Sequence, residues 1–306
     1  MGDPSGIGPE VIVKALSDKI FSRLANITVI GDRFIIEKSK KDLGTKPELS
    51  LLDLSNVPQN NFSYGQHQPS FGRAAVEYID RAVTMLKKGE ADALVTAPIN
   101  KTSVRSAGFN DFKGHTEYLA AKTDTKEFAM MFVGKRLKVA LVTRHVALKD
   151  VSRSISTDSV HKTIMLAAGY LRKYFKIKDP KIGVAGLNPH AGDNGLFGDE
   201  EAKVIIPGIK LSLGDIKNIY GPISPDAIFY EAIRGKFDAV IAMYHDQGLA
   251  PFKTLYFRDG VNLTLGLPFI RTSPDHGTAF DIAGKGIADP ASMKEAILLA
   301  CRLSEN

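Results

Sequence analysis

Three histidines that follow short apolar runs are the residues of this sequence best suited to chemistry. They are His145, His190 and His245, each a few residues beyond a β-branched run. The carboxyl ends of parallel strands meet at one edge of a sheet, where open α/β folds bind ligands. Three neutral imidazoles hold a divalent cation and leave coordination positions open for substrate oxygens. The spacing predicts a catalytic metal site, and the alternative is three loop histidines that only form hydrogen bonds.

A second group of residues is suited to binding anions. His115 and Thr116 follow a glycine at the start of a helical pattern, where main-chain donors and a hydroxyl can hold a phosphate, although a simple helix cap also explains Thr116. Lys253, Asn262 and Arg271 supply an amide and two cations for a substrate that carries phosphate and carboxylate. Each of these three, taken alone, is also compatible with a solvated surface residue.

No standard nucleotide motif accompanies these residues. The glycine-rich start, Gly2–Gly8, lacks the Lys-Ser/Thr ending of a P-loop, and no GxGxxG fingerprint occurs. If NAD binds, another loop must hold it.

The elements that position these side chains alternate between short strands and amphipathic helices. The predicted strands are Ile27–Ile30, Ala93–Thr96, Leu137–Thr143, Ile182–Gly186 and Ala239–Met243. Predicted helices cover Arg73–Lys88, Ser159–Phe175 and Ala291–Arg302, and another begins at Ser224. Strands joined through helices indicate a largely parallel α/β fold. The Gly2–Gly8 loop resembles a strand-to-helix turn with no strand before it, so we expect either a start farther upstream or a sheet that lacks one strand.

The composition limits the class of protein. The chain has 306 residues, 44% hydrophobic and 24% charged, which fits about two domains. One cysteine, Cys301, rules out an intrachain disulfide or a thiolate cluster, so a metal must use histidine or carboxylate. The net charge of +6 is dispersed, which favours small anionic ligands over nucleic acid. No long apolar run or signal pattern is present, so we expect a cytoplasmic enzyme without membrane contact.

Six sequence blocks in order resemble the 4-hydroxythreonine-4-phosphate dehydrogenase family over nearly the whole chain. They are GDPSGIGPE (2–10), TAPINK (96–101), GHTEY (114–118), LNPHAGDNG (187–195), MYHDQGL (243–249) and GVNLTLGLPFIRTSPDHGTA (260–279). The resemblance implies a two-domain isopropylmalate dehydrogenase-like α/β fold with its active site in the interdomain cleft. The expected domains are 1–105 with 247–306, which carries the NAD loop, and 106–246, which carries the metal ligands and dimer contacts.

The resemblance also assigns residues. It places the metal on His145, His190 and His245, and the substrate on His115, Thr116, Lys253, Asn262 and Arg271. A segment similar to the adenosine loop of isocitrate and isopropylmalate dehydrogenases assigns NAD to His276, Gly277, Thr278, Ala279, Asp281, Ile282 and Ala283; the alternative there is a glycine-rich turn. Asp246 and Lys253 are the candidate proton acceptors, although Asp246 can equally orient a ligand histidine. The family further implies a homodimer whose metal site is shared between subunits.

The implied reaction is the oxidation of 4-phosphooxy-L-threonine by NAD to 2-amino-3-oxo-4-phosphooxybutanoate, which decarboxylates to 3-amino-2-oxopropyl phosphate in vitamin B6 (pyridoxine) biosynthesis. The motifs leave open NAD or NADP, and zinc, magnesium, cobalt or manganese. Three alternatives stand beside this interpretation: a dehydrogenase of threonate or erythronate 4-phosphate, a noncatalytic metal- or phosphate-binding protein, and metal-assisted hydrolysis.

Overall fold

The computed structural model describes residues 1–305 as alternating helices and strands. The helices are α1 (Gly8–Leu16), α2 (Phe21–Leu24), α3 (Arg33–Asp42), α4 (Pro69–Lys87), α5 (Lys101–Ser106), α6 (His115–Lys122), α7 (Val151–Ser154), α8 (Thr157–Lys173), α9 (Ile206–Ser212), α10 (Pro225–Ile233), α11 (His245–Tyr256) and α12 (Ala291–Ser304). The strands are β1 (Thr28–Gly31), β2 (Ser50–Asp53), β3 (Ala93–Val95), β4 (Ala129–Val133), β5 (Lys138–Leu141), β6 (Ile182–Ala185), β7 (Ile219–Ile223), β8 (Ala239–Ala242), β9 (Val261–Leu265) and β10 (Ile270–Pro274). Within these residues no helix is long and apolar enough to span a bilayer.

The first compact unit comprises Met1–Thr125 and Leu267–Glu305. It contains two parallel strand pairs, β1 with β2 and β3 with β10. Its largest core cluster joins α1 to the end of the chain through residues such as Val11, Val13 and Met293. Helix α4 buries Ala75, Ile79, Ala82 and Val83, the face that the sequence predicts, because these positions recur at helical spacing.

The second unit, Lys126–Gly266, is built on six strands in the order β9-β4-β5-β8-β6-β7. Strands β5, β8, β6 and β7 are parallel, whereas β4 runs antiparallel to both of its neighbours. Every residue of β6 and β8 is buried. These strands are continuous apolar runs because helices cover such strands on both faces.

The five predicted strands are all present, and five further strands were not predicted. Strand β7 carries Gly221 and Pro222, which are uncommon inside strands, and β4 is rich in methionine. Strands β9 and β10 carry Asn262 and Arg271, two residues that the sequence analysis assigns to substrate binding without predicting a strand. The helix predicted from Ser224 begins there, but the Ser224 hydroxyl donates to Asp226 rather than capping the backbone.

The two units end about twenty residues later in the chain than the domain boundaries expected from the sequence, at 125 instead of 105 and at 266 instead of 246. The first difference arises because α6 belongs to the first unit. The second arises because α11 packs against β5 and β8, and β9 pairs with β4, so both belong to the second unit.

Candidate functional site

The three predicted metal-binding histidines follow neighbouring parallel strands of the second unit. Strand β8 pairs with β5 on one side and β6 on the other, so the segments that carry His145, His190 and His245 leave the sheet at one edge. This arrangement is the one that the sequence predicts.

A buried hydrogen-bond network fixes these three strand ends to one another. The Thr143 hydroxyl donates to the Met243 carbonyl at 2.7 Å. The Gln247 side chain accepts from the Met243 amide at 2.6 Å and donates to the Gly186 carbonyl at 2.7 Å. Gln247 is 8% exposed, so both of its bonds are shielded from water. We refer to Thr143, Met243, Gln247 and Gly186 as the strand-end network.

Two of the predicted ligands lie side by side. The rings of His145 and His245 have centroids 6.0 Å apart. His245 Nδ1 lies 2.7 Å from a carboxylate oxygen of Asp246, which can hold the ring in the tautomer that leaves Nε2 free to bind a metal. Because it contacts His245 directly, Asp246 is placed to orient that ring.

The third predicted ligand, His190, is not grouped with the other two. Residues 190–194 all have positive φ, and the ring of His190 lies 6.3 Å from that of Phe197. Within residues 1–305 no three His, Cys, Asp or Glu side chains are close enough to hold one metal ion. The donor chemistry of the pair formed by His145 and His245 therefore fits a divalent cation, and His190 is not placed beside that pair.

The carboxylate of Glu201 supports the start of this loop, a role that sequence reasoning missed. One of its oxygens accepts from the backbone amides of Leu187 and Asn188, both at 2.8 Å, and the other accepts from the Asn188 side chain. Glu201 is 5% exposed, and these charge-assisted bonds offset the cost of burying it.

In the first unit, Arg271, His115 and Thr116 form a polar group in which Arg271 and Thr116 are buried and His115 is partly exposed. Arg271 is 3% exposed, and its Nε and Nη2 donate to the Thr96 hydroxyl at 3.2 and 2.6 Å. Burial lowers the pKa of Arg271 to about 10, which leaves the guanidinium charged at neutral pH. Burial, followed by the nearby Arg271 cation, lowers the pKa of His115 well below its usual value, so this imidazole is neutral.

Helix α6 begins at this group in a way that disfavours the simple cap interpretation of Thr116. The N-cap residue is Gly114, which has φ 155° and no side chain. His115 and Thr116 are thus the first two helical residues, and Thr116 is buried. A charged arginine, a neutral imidazole and a helix N-terminus together favour a bound anion.

Lys253 and Asn262 lie in the second unit. Lys253 is on α11, with its ammonium 5.8 Å from the centre of the Phe257 ring. Asn262 lies on β9, and its buried Oδ1 has no hydrogen-bond partner within the described residues. A buried acceptor without a donor is costly, so this atom is suited to receive a hydrogen bond from a ligand.

The predicted cofactor loop is held by the start of the chain. The Ile7 amide donates to the Thr278 carbonyl at 3.0 Å, and a Cβ on Gly6 would lie 3.0 Å from Thr278, so this glycine allows the close approach. Ala279 has a φ of 41°, and Ala283 is 8% exposed within the first unit's core. Of the remaining predicted cofactor residues, His276 and Ile282 are partly exposed, and Gly277 and Asp281 are exposed.

The ion pair between Glu10 and Lys14 holds the residues that follow the predicted cofactor loop. Glu10 accepts from the amides of Gly286 and Ala288, and Lys14 donates to the carbonyls of the same two residues at 2.9 and 2.7 Å. Both side chains belong to α1 and are spaced i,i+4, the one sequence signal that could have drawn attention to them. We call Glu10 and Lys14 the loop clamp.

Comparisons with known proteins identify close relatives. A sequence model of the family described as pyridoxal phosphate biosynthetic protein PdxA matches residues 10–300. The chain is 45% identical to a 4-hydroxythreonine-4-phosphate dehydrogenase of Desulfosudis oleivorans, over 98% of this chain and 93% of that one. It is also 45% identical, over 99% and 96%, to a protein of Oceanobacillus iheyensis named as a candidate D-threonate 4-phosphate dehydrogenase. The crystal structure of a 4-hydroxythreonine-4-phosphate dehydrogenase from Burkholderia phymatum aligns with a TM-score of 0.84 at 41% identity, over 99% and 96%.

Proposed function

The chain belongs to the family of pyridoxal phosphate biosynthetic protein PdxA, and from that premise we propose that it oxidises 4-phosphooxy-L-threonine with NAD as hydride acceptor. The observation that carries the proposal is the polar group formed by the buried Arg271 and Thr116 with the partly buried His115. The guanidinium, which also interacts with the Glu117 carboxylate, lies with the N-terminus of α6 where an anionic group of the substrate can bind, and the neutral His115 can share a hydrogen bond without adding repulsion.

The proposal gives each polar group of the site a binding role. Arg271, His115 and Thr116 bind an anionic group of the substrate, and Lys253 and Asn262 bind its other polar groups. The loop from His276 to Ala283, which is followed by the residues Gly286 and Ala288 that the loop clamp holds, binds the adenosine part of NAD. Its exposed Gly277 has no atom within 4 Å of where a Cβ would stand, so the backbone there is open to a ligand.

The reaction needs a hydride acceptor and a proton acceptor. Hydride leaves C3 of the substrate for NAD as the C3 hydroxyl loses its proton, and the resulting β-keto acid then loses carbon dioxide. We propose that Lys253 accepts this proton, because the Asp246 carboxylate already contacts the His245 ring. A divalent cation (zinc, magnesium, cobalt or manganese) held by His145, His190 and His245 would supply Lewis-acid stabilisation of the developing negative charge when bound.

The first test is NADH formation by the purified protein with 4-phosphooxy-L-threonine, NAD and a divalent metal. Arg271→Gln should lower kcat/KM by about a hundredfold or more, because removing one partner of a buried charged contact costs about 3 kcal/mol. Arg23→Gln, an exposed arginine of the same unit, is the matched control and should leave kcat/KM unchanged. Normal turnover by a folded Arg271→Gln protein would contradict the assignment.

A second candidate substrate is D-threonate 4-phosphate, which some relatives are named for. The two substrates differ at C2, where one carries an ammonium and the other a hydroxyl. The ratio of their kcat/KM values decides between them, and the same assay with NADP decides the cofactor.

The assembly is also part of the proposal. We propose a cytoplasmic homodimer in which the metal site is shared between subunits. Light scattering of the purified protein measures the mass, and mixing two inactive variants altered in different site residues tests the sharing, because only a shared site regains activity in a mixed dimer.

A further inference from the structure

The first turn of α6 contains an acidic residue to which no role has been assigned above. Glu117 is the third residue of the helix, directly after His115 and Thr116, and it is partly exposed. A carboxylate in the first turn is favourable because the N-terminus of a helix carries a partial positive charge. The same charge attracts any other anion, so Glu117 shares its environment with the anionic group proposed to bind there.

Two observations place the Glu117 carboxylate at the anion site. Burial lowers the pKa of Arg271 to about 10, and the negative charge of Glu117 acts in the opposite direction, so the carboxylate lies near the guanidinium. One carboxylate oxygen of Glu117 also lies 3.4 Å from the point where a Cβ on Gly114 would stand. The side chain therefore folds back over the start of its own helix, toward both groups that attract an anion.

Lys101 supplies a second cation beside this carboxylate. It is the first residue of α5 and is exposed. Its Cε atom lies 3.7 Å from the same Cβ point of Gly114. Because the two side chains meet over this glycine, the Glu117 carboxylate can move away from Arg271 and still face a positive charge.

The position beside Arg271 can hold one anion at a time. A buried guanidinium without an anion is costly, and Glu117 offsets that cost while no substrate is bound. A phosphate group that approaches the same guanidinium and the same helix N-terminus meets the Glu117 carboxylate, and like charges at close range repel. Binding of the substrate anion therefore requires the carboxylate to leave.

We propose that Glu117 is an internal competitor for the anion site, whose carboxylate occupies the position beside Arg271 and moves toward Lys101 when the substrate anion binds. The inference rests on the proposed function, because it concerns the anion that Arg271, His115 and Thr116 bind. Every anion meets the same cost of displacing the carboxylate. Small anions with few contacts are thereby excluded, whereas a substrate with further contacts binds.

The test measures the binding of inorganic phosphate by titration calorimetry to the wild-type protein and three variants. Glu117→Gln removes the charge but keeps a side chain that serves equally at the third position of a helix, so the start of α6 is preserved. Glu117→Asp keeps the charge and shortens the side chain by one methylene. Glu48→Gln, an exposed carboxylate of the same unit, is the control for net charge. Thermal unfolding with and without phosphate is measured on the same proteins.

Glu117→Gln should bind phosphate about tenfold more tightly than the wild-type protein, because no ion pair has to be broken. Glu117→Asp should lie between the two, and Glu48→Gln should match the wild type. Without phosphate the unfolding midpoint of Glu117→Gln should fall by about 2–4 °C, because Arg271 loses its anion, and saturating phosphate should reverse the fall. A residue that only stabilises the helix start would give no such reversal.

Phosphate binding by folded Glu117→Gln that is no tighter than wild type, together with loss of binding in Arg271→Gln, would overturn the competitor role and leave the anion site of the proposed function in place. An increase in Glu48→Gln as large as that in Glu117→Gln would show a general effect of net charge and would also overturn it. Phosphate binding that is absent from all versions, or unchanged in Arg271→Gln, would overturn the anion site itself and this inference with it.

Discussion

Gln247 is expected to contribute more to the stability of the second unit than any hydrogen-bonding side chain exposed on the same helix. Its side chain forms two bonds of the strand-end network, to the Met243 amide and the Gly186 carbonyl. The substitution Gln247→Met keeps the approximate volume and removes both bonds. Met243 is fully buried, so no water replaces the missing partner of its amide.

The magnitude follows from the two backbone groups left unsatisfied. Each costs about 2 kcal/mol, and the added apolar surface of methionine returns about 1 kcal/mol, so the net loss in the free energy of unfolding is about 3 kcal/mol. In a domain of this size the unfolding midpoint should fall by about 5–12 °C. The strand ends that carry His145 and His245 should also separate, which should weaken metal binding about tenfold.

The assay is urea unfolding followed by circular dichroism, with metal affinity measured by titration calorimetry on the folded variant. Thr254→Val is the matched control, because Thr254 is exposed on the same helix and donates to the Ala250 carbonyl. The control should change the free energy of unfolding by less than about 0.5 kcal/mol. A Gln247→Met protein as stable as the control would refute the role assigned to the strand-end network.

Three further outcomes are expected. Thr96→Val removes the hydroxyl that accepts from Arg271 and should raise KM for the phosphorylated substrate about tenfold, measured by initial rates with the folded variant. Glu10→Gln weakens the loop clamp and should raise the Kd for NAD several-fold in calorimetry, whereas Glu37→Gln, an exposed carboxylate of the same unit, should not. Folding lowers the pKa of His115, so on acidification the unfolded protein takes up this proton before the folded protein does. The stability of the folded protein is therefore retained above the unfolded pKa of about 6.5 and lost as the pH falls below it. Relative to His115→Gln, the wild-type protein should therefore lose up to about 1.4 kcal/mol per pH unit below that value; parallel pH profiles would contradict this.

The local pattern of the sequence predicted the strands that carry the histidines. Strands β6 and β8 are continuous apolar runs, β5 is apolar after Lys138, and each is followed within a few residues by an imidazole. Because parallel strands end at one edge, the approximate placement of His145 and His245 followed without any knowledge of tertiary contacts. Arg271 and His115 were also chosen from the sequence, and they lie near enough for one charge to lower the pKa of the other group.

Long-range contacts account for what the sequence left undetermined. Glu10 contacts Ala288 across 278 positions of the chain, and nothing in the local pattern of either residue indicates the pairing. Gln247 lies in the sequence block 243–249. Its buried position between two strand ends, however, depends on how the strands pair in the sheet. The left-handed backbone of residues 190–194 likewise depends on the loop's surroundings, because His190, Ala191 and Asp193 have no local preference strong enough to specify it.

The most direct test of the central claim measures NADH and carbon dioxide formed from 4-phosphooxy-L-threonine by the folded protein with NAD and saturating divalent metal. The proposed function predicts one carbon dioxide released for each NADH formed, with both lost in Arg271→Gln and both retained in Arg23→Gln. A folded protein that forms no NADH from this substrate or from D-threonate 4-phosphate would contradict the claim.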